Sequence, residues 1–367
     1  MTSIKQGTVS VVVPMYNVAA TLEQCLASIE SQTYANLQII CMNDGSTDDT
    51  ARIAGAHAAR DARIVVVNKA NEGYGATMNR GIAAAEGTWI AIVEPDDYLD
   101  TTAFEQLVAC AEAVSTSSGK VVDVVRCAYW RVFGEAGGET RAACPYLHRV
   151  KPATQPFAVG DGIELLLHHP AIWAGMYRRE YLEQAGIRFN EVPGSGWTDN
   201  PFLVQTLCGA GVGIAYVDEP LYYYREHDFN DAEALAKKSP LTPLTRWNEM
   251  MDAACALGVD DDHVLDALAL RGVNYATITV SAAGMEADGV RELVERSMGR
   301  LDPARVFAIP ALSGNAKAMF AQVRGIEAPA ENKAARVRYL AREAAYRVRV
   351  NGLGFVAQNV KRRLNRL

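Results

Sequence analysis

Short apolar runs alternate with amphipathic stretches through the first hundred residues. Ser10-Val11-Val12-Val13, Gln38-Ile39-Ile40-Cys41-Met42, Ile64 to Val67 and Trp89-Ile90-Ala91-Ile92-Val93 read as strands. The last is apolar and β-branched, as a strand buried on both faces of a parallel sheet is. Thr21 is placed to cap a helix whose Leu22, Cys25, Leu26 and Ile29 recur at helical spacing. Ser46 or Thr47 is placed to start a second helix, and Asn71 to Gly75 opens a third through Met78, Ile82 and Ala85. The alternation predicts an α/β fold with a mostly parallel sheet, right-handed crossovers and flanking helices. Further on, the pattern predicts a helix over 102–113, a strand over 121–125, loops over 134–156, a helix over 202–208 and a strand leading from Leu221 to His227. Beyond Ser239 it predicts helices alone, among them 244–257, 262–275 and 289–298.

Composition narrows the class. The 367 residues suffice for two domains or one large domain with an extension, and 49% apolar with 22% charged content is that of a soluble globular protein. No stretch approaches the roughly 20 apolar residues of a membrane span, and MTSIKQGTVS lacks an apolar signal core, so a cytoplasmic protein is expected. Seven cysteines without a C-x-x-C pair argue against a disulfide framework and a structural zinc site. The net charge of −7 hides an asymmetry: residues 331–367 carry ten Lys/Arg and two Glu, which leaves the rest of the chain at −15. An acidic body argues against nucleic acid as a partner. In the basic tail, Val337, Leu340, Ala344 and Val348 form one apolar stripe and Val356, Val360 and Leu364 another. Such a helix suits the surface of an anionic membrane, docking on the acidic body, or a second subunit.

The chemistry concentrates where the fourth strand ends. Glu94, Asp96 and Asp97 follow Val93 directly, and acids this close repel each other unless a cation or donors neutralise them. Open α/β sheets bind ligands at the carboxyl ends of their strands, which makes a hard divalent ion a natural occupant; a solvated acidic turn would read the same way. Two nucleotide-binding patterns are missing. The first strand is followed by Pro14-Met15-Tyr16-Asn17 rather than the glycines of a dinucleotide fingerprint, and there is no G-x-x-x-x-G-K-[ST].

The ordered set VVVPMYN, MNDGSTDDT, NEGYGATMNRGIAAAEG and EPDD resembles the inverting family-2 glycosyltransferases with the GT-A fold, Rossmann-like, over about two thirds of the chain. The resemblance implies transfer of a sugar from a nucleotide diphosphate sugar, expected to be a UDP-sugar, to a hydroxyl of a polysaccharide or lipid-linked glycan. Pro14, Tyr16, Asn17 and Asp44 would hold the nucleoside, Asn71, Gly73 and Gly75 would line the nucleotide cleft, and Asp96 would hold the ribose. Asp97, with Asp96, would hold Mg2+ or Mn2+, and Glu94 stands where Asp is commoner. Tyr16 as a packed turn aromatic and Asp44 as an Asx-turn residue beside Gly45 are the local alternatives.

The later motifs carry the rest of the implied site. Asp199, in Trp197-Thr198-Asp199-Asn200, matches the family's general base, or else caps the following helix. Tyr223-Tyr224-Arg225-Glu226-His227 resembles an element closing over the diphosphate, with Arg225 on phosphate oxygens and His227 as a further metal ligand or diphosphate donor. Glu94, Trp173 and Trp197 are weaker acceptor candidates; Trp173 reads equally as core. His168 and His169, being adjacent, suggest no metal site. The expected organisation is a GT-A domain over 1–238, with a nucleotide-binding half over 1–100 and an acceptor half over 101–238, then a helical extension over 239–330 and the tail over 331–367. A nucleotidyltransferase would want a Gly- and Arg/Lys-rich phosphate loop after the first strand, and a non-catalytic nucleotide-sugar-binding protein would have lost the acids; neither holds here.

Overall fold

The computed structural model describes residues 7–134, 138–193, 196–226, 238–330 and 332–364, the side chains of 356–364 aside. Four strands form the first half of one sheet: β1 (Val9–Met15), β2 (Leu37–Asp44), β3 (Ile64–Lys69) and β4 (Trp89–Ile92). They pair in parallel in the order β3-β2-β1-β4, and α1 (Leu22–Glu30), α2 (Thr50–Arg60) and α3 (Tyr74–Ala84) connect them. All seven residues of β1 are buried, the consequence of helices on both faces. Because the pairings are parallel, the four carboxyl ends and their loops share one edge.

The second half is mixed. It comprises β5 (Tyr98–Leu99), α4 (Ala103–Ser118), β6 (Val124–Phe133), β7 (Thr140–Ala143), α5 (Glu164–Leu167), β8 (Gly175–Arg178), α6 (Arg179–Gln184), α7 (Asp199–Leu207) and β9 (Ile214–Arg225). The sheet continues β4-β8-β6-β9-β5, with β7 beside β6. Strand β8 runs antiparallel to both β4 and β6, and so joins the two halves. The joint demands a glycine, since a Cβ on Gly175 would lie 2.1 Å from the Val125 carbonyl oxygen.

Several boundaries differ from the sequence pattern. The strand expected over 121–125 begins at Val124 and runs to Phe133, because Val121 is 58% exposed and the Asp123 carboxylate is taken by Arg178 at 2.7 Å. The loop region 134–156 contains β7, a partner for the extended β6. Strand β9 begins at Ile214, its alternation hidden by the irregular register opposite Cys127, Ala128 and Tyr129. The second helix starts at Thr50 behind Asp49, and Asp48 Oδ1 accepts the Thr50 amide at 3.0 Å. Thr21 does stand at the cap of α1, but its hydroxyl donates to the Pro95 carbonyl at 3.0 Å and ties that helix to the acidic turn.

Five helices follow: α8 (Thr242–Ala256), α9 (Asp262–Ala283), α10 (Val290–Gly299), α11 (Pro303–Ala308) and α12 (Gly314–Arg324). They share the hydrophobic core of the sheet domain, with Leu244 and Trp247 in one cluster with Phe202 and Leu203 of α7. Trp247 Nε1–H donates to the Leu268 carbonyl at 2.8 Å, and only a glycine fits beneath it, for a Cβ on Gly272 would sit 2.4 Å from the indole. The last helix, α13 (Lys333–Leu364), breaks at Gly352, φ 79°. It docks across the segment after β7. Tyr346 donates to the Leu147 carbonyl at 2.8 Å, Asn351 Oδ1 accepts the Ala143 amide at 2.7 Å, and Arg149 pairs with Glu343 at 2.9 Å. The stripe formed by Val337 (63% exposed), Leu340 (48% exposed) and Ala344 faces solvent instead. Among the described residues no helix is long and apolar enough to cross a membrane.

Candidate active site

At the shared edge Pro14 is buried near the end of β1, and Tyr16 stands 52% exposed just beyond. Asn17 adopts φ 52°, a conformation that asparagine tolerates, and ties two loops together: its Oδ1 accepts the Thr47 amide at 2.8 Å and its amide donates to Ser46 Oγ at 3.1 Å. Asp44, at the end of β2, is 4% exposed. Its carboxylate accepts from Lys69 Nζ, from the Glu72 amide at 2.9 Å and from the Gly73 amide at 3.0 Å. Burial opposes its charge, but these donors prevail and hold its pKa below the ordinary value. Gly73 reaches it with φ 89°. Gly75 serves packing, because a Cβ there would lie 2.1 Å from the Asn190 carbonyl oxygen. Asn71 is exposed on the loop between β3 and α3.

The acidic turn is clamped from the far side of the sheet. Tyr222 of β9 accepts the Glu94 amide at 3.1 Å and donates to Asp97 Oδ2 at 2.8 Å, while the Arg225 amide donates to Asp97 Oδ1 at 2.7 Å. Asp97 is 1% exposed, and burial together with the neighbouring Asp96 drives its pKa well above normal despite these donors. Glu94 accepts the Tyr74 hydroxyl at 2.5 Å. Burial raises its pKa to about 8; Tyr74 works against that, and Asp96 and Asp199 add to it. The Arg225 guanidinium pairs with Glu139 at 3.3 Å and with Gln24, and lies 5.2 Å over the Tyr98 ring. Among the described residues no three His, Cys, Asp or Glu side chains form a ready metal cage. His227 lies outside the described residues.

On the acceptor side Asp199 is the first residue of α7, in the helix rather than ahead of it, with Thr198 at the cap position. Burial raises its pKa; Arg271 and Asn200 oppose the shift. Trp197, at φ 60°, meets Tyr275 edge-on with centroids 5.1 Å apart. Trp173 does not present a face to a ligand. It is 5% exposed, stacked on Tyr222 at 4.2 Å and on Tyr224 at 5.0 Å, so its acceptor reading gives way to a packing role.

For His169 the sequence suggested only that no metal site lies there. Exposed to solvent but crowded by protein, His169 lies 5.3 Å from the Tyr224 ring, and its Nδ1 accepts the Ala171 amide at 3.1 Å. Burial and then Arg271, Arg131 and Arg126 push its pKa down to about 4, so it is neutral at pH 7 with the proton on Nε2. Nothing in the local pattern around a His-His-Pro segment signals this.

The model of the family described as "Glycosyl transferase family 2" matches residues 10–184, which hold β1 to β8 and the acidic turn. Over that segment, just under half of the chain, the protein is similar to glycosyltransferase family 2. The uncharacterized glycosyltransferase EpsJ of Bacillus subtilis is 35% identical over 225 residues, 60% of this chain and 61% of that protein. The putative glycosyltransferase EpsH of the same organism is 30% identical over 237 residues, 63% of this chain and 64% of that protein. The chain thus spans somewhat less than two thirds of these relatives. Among solved structures, residues 1–349 of S. aureus TarS in complex with UDP-GlcNAc give a TM-score of 0.65 at 17% identity, covering 87% of each chain. At that identity the likeness concerns the fold, which is GT-A with a helical C-terminal region.

The Asp44–Lys69 pair yields a stability prediction. Lys69→Met leaves a buried carboxylate without its cation and is expected to cost about 3–5 kcal/mol at pH 7. Asp44 has a lowered folded pKa, so its contribution is present at neutral pH and is lost as pH falls through that value. The difference in urea unfolding between the two proteins therefore shrinks toward acid pH; an equal difference at pH 7 and in acid refutes the assignment.

Proposed function

We propose that this protein is a family-2 glycosyltransferase that transfers a sugar from a UDP-sugar to a hydroxyl of a polysaccharide or lipid-linked glycan, inverting the anomeric carbon. The observation that carries the reading is the buried acidic turn after β4, where Glu94 accepts the Tyr74 hydroxyl at 2.5 Å and Asp97 is held by the Tyr222 hydroxyl and the Arg225 amide, with Asp199 of α7 adding to the raised pKa of Glu94. An acid at the acceptor side and an acidic turn at the donor side in one cleft suit a single displacement. Asp199 takes the proton of the acceptor hydroxyl while that oxygen attacks from the face opposite the leaving diphosphate. The base must be ionised, and its pKa is raised, so turnover is full above that raised value and falls as pH drops through it. A fold shared with TarS, which binds UDP and UDP-GlcNAc, supports a uridine donor.

In this reading residues 1–100 serve the donor and 101–238 the acceptor, and 239–330 form a helical extension. Pro14, Tyr16, Asn71 and Asp96 border the nucleotide, and Asp44 and Asn17 hold the loops that shape its pocket. Asp97 and Asp96 fit a divalent cation as partial ligands: a buried acid with a strongly raised pKa favours a cation beside it, and Mg2+ or Mn2+ is commonly held by one or two carboxylates plus substrate phosphates. Bound there, the ion would offset negative charge on the departing diphosphate. Arg225 reaches phosphate only by exchanging Glu139 and Gln24 for it.

The outward face of α13 favours peripheral membrane contact. Val337, Leu340 and Leu353 are exposed, with Arg338, Arg342 and Arg347 also exposed along the helix, which suits anionic lipid.

Two experiments follow. In calorimetry UDP is expected to bind with Mn2+ and to lose that binding in EDTA or in Asp97→Ala. Asp199→Asn should keep UDP binding while turnover falls about 10²- to 10⁴-fold; absence of UDP binding, or an active Asp199→Asn, refutes the reading. In co-sedimentation the protein is expected to bind vesicles containing phosphatidylglycerol and not vesicles of phosphatidylcholine alone. Leu340→Asp should abolish that binding, and equal binding to both lipids would sink the membrane proposal.

A further inference from the structure

The residue after the proposed base is unusually constrained. Asn200 is 2% exposed, and both ends of its side-chain amide are engaged. Its Oδ1 accepts from Arg271 Nη2 at 2.7 Å and from the Tyr275 hydroxyl at 2.9 Å. Two donors on one atom identify it as the oxygen, so the NH2 group points the other way. There Nδ2 donates to Asp199 Oδ1 at 3.1 Å and to the Trp197 carbonyl at 3.4 Å.

The second tier is fixed in turn. Arg271 is 5% exposed on α9, and among the described residues none of its hydrogen bonds reaches a carboxylate. Its Nη1 donates to the Leu166 and His168 carbonyls, at 2.7 and 2.6 Å. The ring of Tyr275, one turn along α9, braces Trp197. The backbone of Trp197 sits in the left-handed region, which a bulky residue adopts only when its surroundings hold it there.

We propose that Arg271, Tyr275 and Asn200 form a positioning relay that grips one oxygen of the Asp199 carboxylate and so directs the other toward the acceptor hydroxyl. The relay rests on the reading of Asp199 as general base and extends it to residues on α9 outside the family match. Its logic is that of a base oriented by a third group. The relay also has an electrostatic effect, since Arg271 and the Asn200 donor stabilise the ionised carboxylate against burial. Removing a donor therefore raises the Asp199 pKa further and moves the acid limb of the rate profile to higher pH.

The test uses hydrolysis of UDP-Glc, UDP-Gal, UDP-GlcNAc and UDP-GlcA by the full chain, with water as acceptor. Asn200→Ser and Tyr275→Phe are the variants, the second removing a single hydroxyl and leaving the ring in place. Both are expected to lower kcat about 10- to 100-fold, to leave KM for the sugar nucleotide unchanged, and to shift the acid limb upward. Unchanged kcat, or a loss of kcat with an unmoved acid limb, overturns the relay while leaving the base intact. Hydrolysis that Asp199→Asn does not impair, or no hydrolysis of any donor, removes the base reading and the relay with it.

Discussion

Asp97 is buried in the turn between β4 and β5, and its two oxygens are met by a tyrosine hydroxyl and a backbone amide from a strand more than a hundred residues later. That pairing depends on most of the fold. Strand β9 must run beside β6, β6 beside β8, and β8 beside β4, before Tyr222 and Arg225 arrive over the acidic turn. Each step is narrow. At β8 the sheet halves approach so closely that a single methyl group at position 175 would overlap a carbonyl oxygen. The acids are thus part of the assembly of the sheet as well as candidates for its chemistry, because a buried carboxylate without donors would oppose folding.

The donor half was legible in the sequence because its information is local. Apolar runs with acids, prolines and glycines at their carboxyl ends define β1 to β4, and the loop residues sit within a few positions of the strands that present them. Asp44 shows the limit of such reading. As an acceptor at the end of β2 it was visible, whereas its engagement by Lys69, 25 residues away on a neighbouring strand, was not. The aromatic residues were legible as chemistry but not as position. Trp173 reads the same in sequence whether it meets a sugar or two tyrosines, and only the return of β9 decides for the tyrosines.

Strand limits failed where polar residues are consumed by specific partners. Asp123 interrupts no strand pattern, yet its carboxylate is committed to Arg178 and to the Gly213 amide at 2.9 Å, so regular pairing begins at Val124. Asp218, Glu219 and Pro220 lie within β9 where its register against β6 slips, and they hide the strand from a period-two pattern. Asn200 and Arg271 are 71 residues apart, in helices whose sequences give no hint of mutual contact. Long-range polar contacts of this kind have no periodicity, and composition cannot supply one.

The cleft is electrically divided. On one side Glu94, Asp96 and Asp97 crowd together, and the raised pKa values of Glu94 and Asp97 favour positive charge brought from outside. On the other side Arg126 and Arg271 are buried, and among the described residues their hydrogen bonds run to carbonyls, hydroxyls and an amide, with each Nε left without a hydrogen bond. Buried guanidinium groups whose hydrogen bonds, among the described residues, reach no carboxylate act on their neighbours through their field. The field has two consequences in the same wall. It adds to the burial that lowers the pKa of His169, and through Arg271 it opposes the protonation that burial favours at Asp199. The two arginines that hold the 166–171 backbone in place therefore also reinforce the lowered pKa of His169, which that backbone presents.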